Sequence, residues 1–254
     1  MKIYGVVPAR MESTRFYGKP LHPIYSRPMI EHVFERAKLF TGWDGLFLAT
    51  CNREIADFAV KKSYPVIMTS NKHVRCLDRV AEAIMKCGKV VMGNDIIVCI
   101  QGDEPMLHPD MIEESIKVIN EFSDVNCTVL AMEIDSEEQF LNPDTVKIIH
   151  DLKGNVLYTS RCPIPYCKKF SSKLGARRIY GIFSFRWNFL KKFNELPESP
   201  LELNESCDSN RIIDHGFSQR IVPYPYKESF SVDSPIDIAK VENHMKNDPL
   251  WGVY

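Results

Sequence analysis

The sequence predicts an α/β fold in which a mostly parallel sheet carries helices on both faces and an antiparallel subregion is inserted. Short apolar runs alternate with helical patterns along the first half of the chain. The strands of this half, such as Asp95–Ile100, are nearly unbroken runs of apolar residues, which is typical of a sheet buried on both sides. The alternation of strands and helices ends after Ile134, where several short strands are predicted in succession. A chain of 254 residues, 44% hydrophobic and 26% charged, is long enough to form a full-sized core.

The first half reads as strands and helices in alternation. The segment Met29–Phe40 has apolar residues at i, i+4 and i+8 with charged residues between them, which predicts a helix. The strands are predicted over Ile3–Val7, Gly45–Thr50, Pro65–Met68, Asp95–Ile100 and Val125–Ile134. The other helices are predicted over Glu54–Lys62, Asp78–Cys87 and Pro109–Phe122.

The second half contains shorter strands with fewer helices between them. Strands are predicted over Val146–Asp151, Val156–Tyr158, Arg178–Phe185, Gln219–Pro223 and Phe230–Val232. Helices are predicted over Phe189–Asn194, Leu203–His215 and Pro235 to about Lys246. No stretch between the two halves has the composition of a linker, so we expect a single domain over residues 1–254.

Charge and cysteine usage exclude several classes of protein. The formal net charge is −1 and the isoelectric point is near 6.7, so no overall field attracts nucleic acid or an anionic membrane. No apolar stretch approaches the roughly 20 residues of a membrane span. The eight cysteines are scattered without a CxxC pair, which argues against a zinc knuckle or a redox pair. We therefore expect a cytoplasmic protein with reduced thiols.

The stretch "PARMESTRFYGKPL", residues 8–21, concentrates cations and hydroxyl groups directly after the first predicted strand. Open α/β sheets bind ligands at the carboxyl ends of their strands. A phosphate chain bound there requires cations and hydroxyl donors, and Arg10, Arg15, Lys19, Ser13 and Thr14 supply them. The stretch is not a Walker A loop, because proline follows its GK pair and serine stands where that motif needs glycine. The alternative interpretation is a solvated basic loop.

The stretch "QGDEP", residues 101–105, places carboxylates directly after a buried strand. Such groups are costly at the end of a central strand unless a partner balances their charge. Mg²⁺ binds proteins through one or two carboxylates together with water and substrate phosphates. Asp103 is therefore a candidate metal ligand. Capping of the next helix is the alternative, but the prolines that follow place its start several residues later.

Other charged residues lie where either a ligand or ordinary structure explains them. Asp233 follows a short apolar run and precedes a predicted helix, so it is either a helix cap or a second metal ligand. Arg161 lies between a strand and a Pro-rich turn, where it either clamps an anion or faces solvent. Arg75 and Arg79 lie near the start of a predicted helix, where cations are mildly unfavourable unless they bind an anion.

Taken together, these stretches resemble those of the CMP-KDO synthetases, the 3-deoxy-manno-octulosonate (KDO) cytidylyltransferases. The motifs "PARMESTRFYGKPL", "QGDEP", "NPDTVK", "YTSRCPIPY", "GIFSFR" and "VDSPIDIAKV" occur in the order seen in that family. The resemblance covers nearly the whole chain. It implies a Rossmann-like fold of the nucleotide-diphospho-sugar transferase type and a homodimer. It also implies an enzyme that uses CTP and Mg²⁺ to make a CMP-linked acid and pyrophosphate.

The resemblance also implies roles for individual residues. The nucleotide would be held by Pro8, Ala9, Arg10, Ser13, Arg15, Lys19, Arg79 and Gln101, with Arg10, Lys19 and Asp103 catalytic. Asp103 and Asp233 would bind Mg²⁺. The acidic acceptor would be bound by Arg75, Arg161, Tyr180, Glu205 and Arg211. The nucleotide-binding part would cover residues 1–134, an acceptor and dimerisation subregion 135–225, and a C-terminal strand and helix 226–254.

The sequence departs from the family pattern only in stretches that the family uses around the sugar acid. The family's H-x-S-G-T-D-R reads "HVRCLDR" at residues 73–79, and its E-x-L-E-Q-L-R reads "ESCDSNR" at 205–211. The histidine of H-I-G-I-Y aligns with Ile179. The triphosphate and metal motifs are intact, which predicts a cytidylyltransferase for an acidic, KDO-like acceptor.

Three alternatives stay open from the sequence. In the first alternative, the acceptor is a phosphonate or a phosphorylated small acid, which the added cation Arg75 would favour. In the second, the chain is a nucleotide-binding regulator without turnover, and the intact Lys19, Asp103 and Asp233 argue against this. The third alternative, a preference for UTP or dTTP, is weaker, since those enzymes usually carry a glycine-rich opening loop that this chain lacks.

Overall fold

The computed structural model describes residues 1–13 and 15–254, so that Thr14 lies outside the described residues. The chain divides into two compact units. Unit 1 consists of Met1–Glu113 and Glu228–Tyr254, and unit 2 of Glu114–Lys227. The predicted antiparallel subregion lies within unit 2, although unit 2 begins about twenty residues earlier than residue 135. A single domain over the whole chain stays a prediction.

The elements follow one another in the predicted alternation. The strands are β1 (Ile3–Ala9), β2 (Pro23–Ile24), β3 (Arg27–Pro28), β4 (Gly45–Thr50), β5 (Val66–Met68), β6 (Ile96–Ile100), β7 (Cys127–Glu133), β8 (Lys147–His150), β9 (Val156–Ser160), β10 (Arg177–Arg186) and β11 (Arg220–Tyr224). The α-helices are α1 (Met29–Lys38), α2 (Arg53–Lys61), α3 (Cys76–Lys86), α4 (Pro109–Glu121), α5 (Glu137–Leu141), α6 (Trp187–Glu195), α7 (Pro200–Glu205), α8 (Asp208–Asp214) and α9 (Pro235–Met245).

The strands of unit 1 form a parallel sheet in the order β6-β1-β4-β5. Strand β1 pairs with β4 through Tyr4 opposite Gly45, and with β6 through Val6 opposite Cys99. Every residue of β6 is buried, as its continuous apolar sequence predicts. Because the strands are parallel, the loops that leave β1, β4 and β6 begin at the same edge of the sheet.

The strands of unit 2 pair mainly antiparallel. Strand β7 pairs antiparallel with β10 and parallel with β11. Strand β8 pairs antiparallel with both β10 and β9. The predicted α/β class with an inserted antiparallel part is therefore confirmed. The antiparallel pairing already includes β7, which the sequence assigned to the first half.

The strand predicted over Phe230–Val232 does not form, and this prediction is wrong. The segment lies along residues 103–106, where Val232 N donates to Asp103 O (3.0 Å). Side chains add further bonds: Ser231 Oγ donates to Glu104 Oε1 (2.7 Å) and Ser229 Oγ to Met106 O (3.0 Å). The apolar residues of this segment pack into a cluster with Met29 and Met245. The apolar pattern therefore reflects burial without strand pairing.

The helix predicted over Leu203–His215 is two helices, α7 and α8. Ser206 ends α7 in the left-handed conformation, with φ 52°. The start of α7 is set by a capping box, in which Ser199 and Glu202 exchange bonds between side chain and backbone. The short hairpin β2–β3 and helix α5 were not predicted from the sequence at all.

All eight cysteines are free in the structure, and a reducing compartment stays a prediction. Among the described residues, no helix combines the length and the apolar character needed to cross a bilayer.

Candidate active site

The cation-rich stretch leaves β1 as a closed loop. Gly18 N donates to Met11 O (3.0 Å), and Gly18 has φ 74°, a conformation that favours glycine. Asn52, two residues after β4, holds the first part of the loop: its Oδ1 accepts from Met11 N (3.0 Å) and its Nδ2 donates to Glu12 Oε1 (2.8 Å). Asn52 was not predicted from the sequence, although a polar residue close to the carboxyl end of a parallel strand is a usable signal.

Arg10 and Ser13 stand at the start of this loop and are half-buried. Within the part of the chain that the structure describes, the Arg10 guanidinium makes neither a hydrogen bond nor an ion pair. Pro8 and Ala9, the other predicted nucleotide residues here, are the buried last residues of β1. The Arg10 charge helps to lower the pKa of Glu12, and the contacts of Pro8, Ala9 and Arg10 with a nucleotide stay predictions.

Lys19 is directed toward Asp103. Its Nζ donates to Asp103 Oδ2 (2.9 Å) and to Val232 O (2.7 Å), and its side chain is 12% exposed. Burial alone would lower the pKa of Lys19, but the Asp103 carboxylate outweighs burial and raises it. The lysine is therefore a fixed positive charge beside the carboxylate that follows β6.

Asp233 pairs with the same loop. Its Oδ1 accepts from Arg15 Nη2 (2.8 Å), with side-chain exposures of 25% and 46%. The helix-cap alternative does not hold for Asp233, because Ser234 and Asp237 form the capping box of α9. Asp237 Oδ2 also accepts from Asp233 N (2.9 Å), which holds the backbone of Asp233. The Asp233 carboxylate is thus not needed for the helix.

Gly102 allows the loop after β6 to approach β1. A Cβ at this position would lie 2.7 Å from Pro8 O and 3.1 Å from Ile30 Cδ1. The preceding residue, Gln101, donates from Nε2 to Cys76 Sγ (3.3 Å) at the start of α3. The close approach brings Asp103 to the loop that carries Lys19.

The donor set fits a magnesium ion bound together with a phosphate ligand. Two carboxylates, Asp103 and Asp233, both act electrostatically on Lys19, and the Asp103 backbone bonds to Val232. Among residues 1–13 and 15–254, no group of three or more His, Cys, Asp or Glu side chains is arranged to hold a metal. Mg²⁺ typically binds to one or two carboxylates and takes its other ligands from water and phosphate. A magnesium ion held by these two carboxylates would therefore need the substrate to supply further ligands.

The loop before α3 is held from two sides. Arg79 is buried and donates to Thr69 Oγ1, Ser70 O and His73 O. Glu82 accepts from Ser70 N, His73 and Lys86. Burial raises the pKa of Glu82, but Lys86, Ser70 N and His73 together lower it to about 2. Arg79 thus positions this loop, and its direct contact with a nucleotide stays a prediction.

Arg75 takes a different position from Arg79. It is the N-cap residue of α3, half-buried, with an extended backbone. It directly precedes Cys76, the residue that contacts Gln101. Of the two arginines in "HVRCLDR", Arg75 therefore lies beside the strand-end residues of unit 1.

In unit 2, Arg161 and Glu205 contact each other extensively. Glu205 accepts from Tyr158 Oη (2.9 Å), Ser160 Oγ (2.7 Å) and Arg161 N (2.7 Å). Burial raises the pKa of Glu205, but these donors outweigh it and lower the pKa. Arg161 donates to Glu205 O (2.9 Å) and Pro143 O (2.9 Å). Glu205 therefore organises the β9 end rather than offering a free carboxylate.

Lys147 is a buried cation in this region that the sequence analysis missed. Its Nζ donates to Asn142 O (2.8 Å) and Arg161 O (2.6 Å), and burial lowers the pKa of Lys147 to about 8. The lysine ties the turn before β8 to the residue that follows β9. A lysine inside a predicted apolar strand was the only signal for it.

Tyr180 and Arg211 are buried, and their contact with an acceptor stays a prediction. Arg211 is 2% exposed and donates two hydrogen bonds to Glu202, from Nε to Oε2 (2.7 Å) and from Nη2 to Oε1 (2.6 Å). Its guanidinium also covers the Phe193 ring at 4.5 Å. Tyr180 is fully enclosed, with the Arg178 guanidinium 5.1 Å from its ring centre. Both residues belong to the packing of unit 2.

Comparison with known proteins agrees with these motifs. Residues 4–221 match the family model described as cytidylyltransferase. The 3-deoxy-manno-octulosonate cytidylyltransferase of Nitratidesulfovibrio vulgaris (strain DP4) is 37% identical over 248 residues, covering 96% of each chain. That of Solibacter usitatus is 34% identical, covering 99% of this chain and 98% of the relative.

A solved structure matches as well. It is a CMP:2-keto-3-deoxy-manno-octonic acid synthetase complexed with CTP, with a TM-score of 0.85 and 31% identity. The match covers 97% of this chain and 99% of that one. The chain belongs to the cytidylyltransferase family, a class of nucleotidyltransferase enzymes.

Proposed function

We propose that this enzyme transfers CMP from CTP to a KDO-like sugar acid and releases pyrophosphate, with Mg²⁺ as cofactor. The observation that carries the proposal is the arrangement at the carboxyl ends of β1 and β6. There, Arg15 and Lys19 form ion pairs with the carboxylates of Asp233 and Asp103, and Arg10 lies at the start of the same loop, directly after β1. The relatives named as 3-deoxy-manno-octulosonate cytidylyltransferases and the related structure complexed with CTP support the choice of substrates.

The reaction requires positioning and charge neutralisation more than covalent catalysis. A hydroxyl oxygen of the acceptor attacks the α-phosphorus of CTP, the bond from this phosphorus to the bridging oxygen breaks, and pyrophosphate leaves. The hydroxyl loses its proton in the same process. Arg10, Ser13 and Lys19 would bind the oxygens of the triphosphate and stabilise the charge that develops on the leaving group. Asp103 and Asp233 would hold Mg²⁺, which supplies further neutralisation at the reacting phosphate.

The experiment is a pyrophosphate-release assay with CTP and Mg²⁺ against four acceptors: KDO, 8-amino-KDO, a phosphonate and a phosphorylated amino acid. Turnover with KDO or its amino derivative supports the proposal. Removal of Mg²⁺ should abolish that turnover. Turnover that persists without any divalent ion contradicts the role given to Asp103 and Asp233. CTP binding without turnover on any acceptor would favour a regulator.

A phosphonate or phosphorylated acceptor is the second candidate, and Arg75 favours it. This arginine is placed at the N-cap of α3, where the resembling family has a hydroxyl residue. An added cation suits a more anionic acceptor. Under this alternative, turnover occurs with the phosphonate or the phosphorylated amino acid only. R75S then raises KM for that acceptor without changing KM for CTP.

We further propose a homodimer in the cytoplasm. The resemblance to the family implies the dimer, and the eight free cysteines suit a reducing compartment. Light scattering coupled to size-exclusion chromatography measures the mass directly: twice 29.3 kDa supports the dimer, and 29.3 kDa contradicts it.

A further inference from the structure

The two carboxylates proposed for metal binding already have cationic partners, and both partners come from the proposed triphosphate loop. Arg15 pairs with Asp233 at 2.8 Å, and Lys19 pairs with Asp103 at 2.9 Å. Each pair joins residues far apart in the chain, so neither follows from local sequence. Within these two pairs the four charges cancel, so each carboxylate that would bind a divalent cation is already neutralised by its own partner.

A divalent ion and a basic side chain compete for the same carboxylate oxygens. A metal bound at about 2.1 Å from a carboxylate oxygen repels a guanidinium or ammonium group that hydrogen-bonds to that carboxylate. Binding of the metal alone would therefore displace Arg15 and Lys19 without providing new partners for them. A triphosphate that arrives with the metal does provide them, because phosphate oxygens accept from both groups.

We infer that Arg15 and Lys19 exchange partners, from the carboxylates to the triphosphate, and that this exchange makes metal and nucleotide binding mutually dependent. The inference rests on the proposed function of the site. Metal alone binds weakly, because it must break both ion pairs. Metal and nucleotide together bind strongly, because the cations released by one are bound by the other. By linkage, each ligand raises the affinity of the other by the same factor.

The two pairs differ in how readily they separate. Lys19 is 12% exposed and has a second acceptor, Val232 O at 2.7 Å, which keeps its ammonium beside the site after Asp103 is released. Arg15 is 46% exposed, so water can solvate it during the exchange. Arg15 is therefore the better residue to change, since its substitution disturbs no buried group.

The test measures Mn²⁺ affinity in the absence and presence of CTP by electron paramagnetic resonance, with wild type, R15Q and R15K. Without nucleotide, R15Q should bind Mn²⁺ at least about fivefold more tightly than wild type, the lower end of typical coupling between sites. The Mn²⁺–CTP complex should bind R15Q less tightly than wild type. R15K keeps the charge and should remain close to wild type in the absence of nucleotide.

A matched control is R53Q, which removes the same charge from an exposed Arg–Asp pair on α2, Arg53–Asp57 at 2.9 Å. It should leave both Mn²⁺ affinities unchanged. If R15Q binds Mn²⁺ alone no better than wild type does, the exchange of partners is wrong. That result does not contradict metal binding by Asp103 and Asp233. If Mn²⁺ binds none of the proteins even with CTP, the proposed metal site itself is wrong.

Discussion

The two units use the same residue types for different purposes. In unit 1, Arg15 and Lys19 lie on a strand-end loop, and the carboxylates with which they form ion pairs are partly exposed. In unit 2, Arg211 and Glu202 are both almost fully buried and are joined by two hydrogen bonds. Ion pairs of the same residue types are therefore partly open to water at the proposed site of unit 1 and almost fully buried in unit 2.

Burial rather than the unit decides this difference. Unit 1 also contains a buried pair, Arg36 with Asp248 at 2.6 Å, and neither residue belongs to a predicted site motif. Four substitutions test whether burial decides the role of a charged residue, and they follow in order of decreasing expected effect.

The largest effect is expected from R211M. It removes the cation from the buried Glu202 carboxylate and should lower the free energy of unfolding by about 3–5 kcal/mol. Urea denaturation measures this change. The double variant E202Q/R211M should recover part of the loss, since no uncompensated charge remains buried. The exposed pair provides the control, because R53M should cost less than about 1 kcal/mol. A stable R211M with lost activity would instead make Arg211 a ligand residue.

D103N should have the opposite profile, with a large loss of activity and little change in stability. The substitution removes a metal-binding charge and the partner of Lys19, and kcat for pyrophosphate release should fall by about 10²–10³-fold. The urea midpoint should stay near that of wild type, because the Asp103 side chain is 30% exposed. Near-normal turnover by D103N would contradict its place in the site.

K147M tests a buried cation through pH. The pKa of Lys147 is about 8 in the folded protein and about 10.4 in the unfolded chain, so the unfolded chain holds more protons between these values. The free energy of unfolding of wild type, relative to K147M, should therefore rise with pH from 8 to 10, by up to about 1.4 kcal/mol per pH unit. Urea denaturation of both proteins at pH 7, 8, 9 and 10 measures it. A pH-independent difference would mean that Lys147 titrates normally.

The smallest effect is expected from E82Q. The pKa of Glu82 is held at about 2, so its contribution is complete above the unfolded value near 4.3 and is lost as pH falls toward 2. E82Q should lower the free energy of unfolding by about 1 kcal/mol at pH 7, less than the roughly 3 kcal/mol that the whole pKa shift represents, because the glutamine oxygen still accepts hydrogen bonds, and the difference should shrink by pH 3. K86Q, which removes one exposed donor of Glu82, serves as the control and should cost less.

Sequence patterns predicted most of the elements, and they failed where apolar residues are buried without regular structure. Over residues 1–113, unbroken apolar runs predicted the longer strands and helical spacing predicted the helices, whereas the short hairpin β2–β3 gave no such signal. The segment Phe230–Val232 has the composition of a strand but packs as a loop against residues 103–106. The helix predicted over residues 203–215 is interrupted at Ser206. The left-handed backbone conformation of this residue is not predictable from a hydrophobic pattern.

The sequence by itself determined the fold class, the family and the loop after β1 that is rich in cationic side chains, because these depend on residue types in local order. Only the tertiary structure decided which charges face each other. Lys19 meets Asp103 and Arg15 meets Asp233 across more than 80 and 200 residues of chain, while Arg211 is buried with Glu202. The energy of a charge depends on the distance to its partners and on its access to water, and a linear sequence states neither.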